Sequence, residues 1–294
     1  MRQTLIIATL CLLVAACSQK TDKTLEHSGN AVYYWRTVFT LDSTECAFLQ
    51  QHNVTRIYCR YFDVVLPPRS TASAQPMPNA TLHFDTKTPD SIEIVPTVFI
   101  MENCMRTTTD SLASRIVRRI VQMNETNDVS NVHEIQIDCD YTARSREAYY
   151  HFLQEVRDEA KRRGLALSTT IRLHQLSMPA PPADYGVLML YNTGDPERFN
   201  ERNPILDFRD VQPYLRHLKS YSLPLAAAYP VFIWQRTLHG VNIEHVADTA
   251  DVMLTKRAVE AERDDLRRLI LTYHLEKENI NRYTPEHYEA IYHH

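Results

Sequence analysis

Glycine is scarce in this chain, with five residues in 294, and no glycine-rich run follows any strand-like segment. That absence removes the nucleotide-binding form of an open α/β sheet, which needs glycines where the backbone approaches a phosphate. The cysteines do not fall at zinc spacings, and no His-X-His pair occurs. Common donor patterns of a metal site are therefore missing, and no metal and no cofactor is expected. Beyond residue 16 no apolar run is long enough to cross a bilayer. Positive charge is not in excess: the formal net charge is −4, which gives no reason to expect nucleic acid. Repeats and low-complexity blocks are absent.

The first residues are informative. Met1-Arg2-Gln3 is a short basic start, and residues 5–16 form an apolar run of signal-peptide length. It ends in Val14-Ala15-Ala16-Cys17, which resembles the bacterial lipobox. The resemblance implies removal of residues 1–16 and lipidation of Cys17, with acyl chains enough for stable membrane anchoring. Residues 17–30 then read as a polar tether. Ser18, where an aspartate would favour the inner membrane, points to the outer membrane. Residues 31–294 remain, with ordinary hydrophobic (44%) and charged (23%) content for a globular domain. Cys46, Cys59, Cys104 and Cys139 stay in the mature chain. Export permits disulfides, and free thiols fit equally well.

Strand-like runs occupy residues 31–39, 54–66, 91–101, 132–141, 166–173, 185–191, 224–233 and 269–275. Helical patterns occupy 43–52, 111–123, 145–163, 211–221, 255–268 and 285–293. Residues 67–90 read as a long loop, rich in Pro, Ser, Thr and Asn. Eight strands alternating mainly with helices, in a chain of this length, predict a single (β/α)8 TIM-type barrel with some helices irregular or missing. The alternative is an open doubly wound sheet.

Barrel active sites lie at the C-terminal ends of the strands. The polar residues there are Arg36 on the first run, Arg60 and Asp63 on the second, and Glu102 on the third. Asp138 and Asp140 end the fourth, and Arg172, His174 and Gln175 the fifth. Tyr191 and Asn192 end the sixth, Trp234 belongs to the seventh, and Tyr273 and His274 to the eighth. In Glu134-Ile135-Gln136-Ile137-Asp138-Cys139-Asp140-Tyr141, alternation puts Gln136, Asp138 and Asp140 on one face, which points into the barrel. Two inward carboxylates one pleat apart repel, so one has a raised pKa unless a cation sits between them. Arg172, inward on the next strand, is the natural partner. The pair is either an acid/base and substrate-orienting device or a structural Asp–Arg network.

Residues 135–141 resemble the fourth-strand signature of family 18 glycoside hydrolases, the chitinases and endo-β-N-acetylglucosaminidases. Leu188-Met189-Leu190-Tyr191-Asn192 resembles their sixth-strand motif. The resemblance implies a (β/α)8 barrel acting on an N-acetylated glycan. Asp140 would orient the acetamide, Asp138 would support it, and Tyr191 would bond the substrate. Thr142 stands where that family has its general-acid glutamate, and a hydroxyl cannot protonate a leaving group at neutral pH. Over most of the mature chain, Tyr33-Tyr34-Trp35-Arg36, residues 58–63, residues 170–175 and Tyr273-His274-Leu275 resemble a group of uncharacterised bacterial lipoproteins with a glycosidase-like barrel. That likeness implies the same fold and brings no reaction.

Three functions fit these residues. One is a glycoside hydrolase with Asp138 and Asp140 in place and Glu102, Asp63 or Glu276 as the acid. A second is a catalytically inactive barrel that binds a glycan. A third, ranked last, is a metal-dependent hydrolase using His174, His274 and the aspartates. The partners expected are a glycan and, through the lipid, a membrane.

Overall fold

The computed structural model describes residues 25–67, 75–106, 111–195, 202–238 and 241–293. The apolar segment 5–16 and Cys17 lie outside the described residues.

Eight parallel strands form the framework: β1 (Gly29–Tyr34), β2 (Val54–Val65), β3 (Glu93–Ile100), β4 (Glu134–Asp138), β5 (Ala166–Ile171), β6 (Tyr185–Met189), β7 (Leu225–Pro230) and β8 (Leu269–Tyr273). Each pairs in parallel with its sequence neighbour, and β1 pairs with both β2 and β8. The sheet is therefore closed. An open doubly wound sheet is excluded, and the fold is a single (β/α)8 barrel. Helices α1 (Ser43–Gln51), α2 (Leu112–Thr126), α3 (Arg146–Lys161), α4 (Thr249–Glu262) and α5 (Pro285–Tyr292) pack outside it. In α2 the residues Leu112, Ala113, Ile116, Val117 and Ile120 are buried. Each large one of these stabilises the helix–sheet layer by about 1.5–3 kcal/mol. Gly164, at φ +71, follows α3 in a left-handed conformation that ordinary residues avoid.

The barrel interior is filled by polar side chains as well as apolar ones. Tyr33 on β1 donates to Gln136 Oε1 on β4 at 2.9 Å, and the phenols of Tyr58 on β2 and Tyr185 on β6 bond each other. These strands are not neighbours, so the contacts cross the lumen. Gln136 donates on to Ser168 at 3.2 Å, and Ser168 and Tyr185 donate to the fully buried Glu134. Burial pushes the Glu134 carboxyl up to about 7. The chain enters from beneath this network. Leu25 is already part of the core, and His27 Nδ1 accepts from Arg56 at 2.7 Å.

Several elements differ from the sequence expectation. The first run breaks after Tyr34, and Val38–Phe39 pairs instead with His83–Phe84. The long loop therefore carries short strands, including Met77–Asn79 added antiparallel to β2. Helix α4 begins at Thr249, because Asp248 accepts from the backbone of Ala250 and Asp251. The charged run 264–267, expected as helix, is a 3₁₀ turn. Residues 211–221 hold only short turns of helix. After β7 the chain forms an antiparallel hairpin, Ile233–Leu238 with Val241–Val246.

Among the described residues no helix is long and apolar enough to cross a membrane. Cys46, Cys59, Cys104 and Cys139 are free thiols; Cys46 is exposed and the other three are buried.

Candidate functional site

The strand ends converge on a pit of about 300 Å³ lined by Asp140, Arg172, His174, Tyr191, Asn192 and Tyr214, among others. Asp138 is the last residue of β4 and is buried, 2% exposed. Its Oδ1 accepts from Thr170 at 2.6 Å and from Arg172 Nη2 at 3.3 Å. Asp140, two residues on, receives Arg172 Nε, while its side chain stays 54% exposed. One guanidinium thus bridges two carboxylates, as alternation on adjacent strands predicts. Burial raises the Asp138 carboxyl, with the Arg172 charge opposing and Asp140 adding.

An aromatic wall flanks the pit. The Tyr191 and Tyr273 rings stack at 4.5 Å between centroids. Trp35 lies 5.8 Å from Tyr273 and 5.9 Å from Tyr33, and Phe232 meets both Tyr191 and Tyr273 edge-on. The Tyr191 hydroxyl is buried without a partner among the described residues. Arg60 sits over Trp35 and pairs with Asp63, donating from Nε to Oδ1 at 2.8 Å. Asn192, at φ +52, turns the chain at the pit edge in a conformation asparagine tolerates.

The acid expected at residue 142 is replaced by a small network. Thr142 Oγ1 donates to Glu102 Oε1 at 2.6 Å, and Ser145 Oγ donates to the same atom at 2.8 Å. These two hydroxyls hold the Glu102 carboxyl below its usual range. Glu102 stands next to the family's acid position, yet its environment favours the ionised form. No sequence signal pointed to this link, because residues 102 and 142 lie on different strand ends.

Other expected site residues are placed elsewhere. Tyr33 points inward, so Arg36 falls on the outer face with Tyr34. It lies over the Tyr34 ring and bonds Glu45 at 2.7 Å, which commits it to the start of α1. Gln175 is fully buried and braces two loops: it accepts from Arg172 N at 2.8 Å and donates to Tyr141 O at 3.0 Å. A direct contact from Gln175 to a ligand has no support in this placement. His274 packs against Tyr273 and Phe232, 3.7 Å from Glu276, and burial lowers it to about 4. Trp234 is on the hairpin beyond β7, opposite His245, rather than on the seventh barrel strand. Tyr214, which also lines the pit, sits in an irregular connection where no strand end or motif marks it. Among the described residues no group of three or more His, Cys, Asp or Glu is arranged to hold a metal.

No family model matches the sequence, and no curated protein matches it. Solved structures do resemble it in fold. A class V chitinase from Pseudomonas fluorescens Pf-5 superposes with a TM-score of 0.59 at 11% identity, over 90% of this chain and 98% of that one. A chitinase from Chromobacterium violaceum gives 0.57 at 14% identity, over 90% and 98%. The spore cortex-lytic enzyme SleL of Bacillus cereus gives 0.54 at 13% identity, over 90% of this chain and 73% of that one. At these identities the likeness is one of fold: this chain has a glycoside hydrolase-like TIM barrel.

Proposed function

We propose that this chain is a glycan-binding barrel that holds a hexosamine-containing glycan at its mouth without cleaving it by the acid-assisted route of family 18 enzymes. The observation that carries the reading is the acid position. Thr142 occupies it, and the carboxylate bonded to Thr142, Glu102, is held toward its ionised form by two hydroxyl donors. A general acid needs the opposite, a carboxyl protonated near neutral pH. The aromatic wall and the donor-lined pit are the features that would hold a sugar ring. The shared barrel fold supports the same class of ligand.

The competing reading is a hydrolase in which Glu102 supplies the proton, favoured by its 2.6 Å approach to Thr142. Titration with chitin and peptidoglycan oligosaccharides, followed by product analysis, separates the two. Binding without new reducing ends is expected for the wild type. Turnover that disappears in Glu102→Gln would establish the hydrolase instead.

The same proposal places the chain on a membrane through lipid on Cys17, with the outer membrane favoured by Ser18. Leu25 is core and His27 is bonded beneath the barrel, so the described chain joins the barrel at that face. The anchor would then join the N-terminal face and leave the polar mouth pointing away from the bilayer. Metabolic labelling with palmitate should mark the wild type and leave Cys17→Ser unlabelled in the soluble fraction. Labelling that persists in the variant removes the anchor.

A further inference from the structure

We propose that the pit prefers a hexosamine whose nitrogen is a free, protonated amine over its N-acetylated counterpart. The proposal rests on the glycan-binding reading above and names the ligand class of the same site.

The first argument is charge. Arg172 is the cation of the pit, and its fork is directed at two carboxylates, Asp138 and Asp140. One positive group therefore faces two acidic ones. Asp140 gives Arg172 only Oδ1; its side chain is half exposed and lines the pit. Nearby cations have carboxylates of their own: Arg60 is paired with Asp63 and Arg36 with Glu45. His174 and Tyr214 are the remaining titratable groups of the lining besides Tyr191. A ligand carboxylate entering here would meet Asp140 as a like charge, whereas an ammonium would meet it as an opposite one.

The second argument is an unpartnered polar group in the lining. Tyr191 lines the pit, is 3% exposed, and its hydroxyl is buried with no partner among the described residues. A buried phenol left unsatisfied costs about 1–3 kcal/mol, so a ligand atom that bonds it is strongly favoured. The phenol oxygen can accept from an ammonium. The Tyr191 ring, stacked on Tyr273, borders the same space, and an aromatic ring attracts a cation and offers little to an acetyl carbonyl. The volume of about 300 Å³ is at the lower end for ligand pockets, enough for a single sugar residue.

Calorimetric titration of the mature chain with three probes tests this: a glucosamine tetramer, an N-acetylglucosamine tetramer and a galacturonic acid tetramer. The amine oligomer should bind about tenfold more tightly than the acetylated one. That preference should shrink with added salt and should be lost in Asp140→Asn. Tyr191→Phe, which keeps the stacked ring, should weaken the amine oligomer several-fold. Equal or tighter binding of the acetylated or the acidic tetramer overturns the proposal and leaves the glycan reading standing. Binding of none of the three overturns both.

Discussion

Arg172 carries two carboxylates at once, and one of them is buried. Removing the guanidinium would leave Asp138 as an uncompensated charge, a change that typically costs about 3–5 kcal/mol. Arg172→Leu should therefore lower stability by that order in urea unfolding at neutral pH. Burial already raises the Asp138 carboxyl, and the Arg172 charge is what opposes the shift. Without it the folded state binds a proton more readily than the unfolded chain. A folded pKa above the unfolded value gives stability that is present at low pH and lost as pH rises. The deficit of Arg172→Leu should thus be smaller near about pH 4.5 than near about pH 8. A deficit independent of pH would mean that lost packing dominates. The Asp–Arg bridge is legible from alternation on two adjacent strands. The Glu102–Thr142 link is not, because it joins loops whose approach depends on barrel closure. The place of Arg36 is hidden for a related reason: the strand ends at Tyr34, and the side chain two residues on follows the outer face to Glu45.

At the scale of elements, the ends of β4 and β5 are held together by one buried amide. Gln175 satisfies the backbone N–H of Arg172 and the carbonyl of Tyr141, so it sets the loops that carry Asp140 and Arg172. Gln175→Leu keeps the approximate volume, takes the acceptor from the Arg172 N–H and leaves Tyr141 O with the longer contact to His174 Nε2 at 3.5 Å. A buried backbone group left unsatisfied costs about 1–3 kcal/mol. The variant should unfold at lower urea and bind a glycan more weakly. Gln175→Glu retains the acceptor for Arg172 N and can donate to Tyr141 O only as the protonated acid, so its loss should be smaller near about pH 5 than near about pH 8. Equal stability of all three proteins would sink the brace. The helices that were legible from the sequence are those with a strong apolar face, α2 and α3, whose cores of Ile116, Ile120, Phe152 and Val156 recur at helical spacing. Helix α4 was displaced because its start depends on the Asp248 cap, a single side chain, while the charged segment after it imitates a helix. The hairpin after β7 stayed hidden because its first strand follows β7 almost without a break in β-branched and aromatic residues.

The whole molecule reflects a repeat that periodicity reveals well, eight strands alternating with connections, and a buried polar interior that it reveals only in part. Gln136 and Asp138 could be placed inward by alternation, and Glu134 lies on the same face two residues earlier. His27 could not, since it precedes the first strand in a segment that reads as tether. These two groups sit 4.0 Å apart and respond to pH in opposite directions. Burial lowers His27 to about 4, below its ordinary 6.5, so its contribution is present above that value and lost as pH falls. Half-buried His274 and buried His52 and His287 are lowered as well and act in the same sense. Glu134 is raised from 4.5 to about 7, so its contribution is present at low pH and lost as pH rises through neutrality. Between these limits the terms oppose, and stability should peak on the acid side of neutral. Glu134→Gln removes the alkaline loss and leaves an acceptor for Tyr185 and Ser168. Its melting temperature relative to the wild type should therefore rise from about pH 5 to about pH 8. Thermal melts of both proteins across that range decide it. A relative melting temperature that falls with pH would mean that Glu134 is ionised in the folded barrel and held by Arg56, which lies 3.7 Å away.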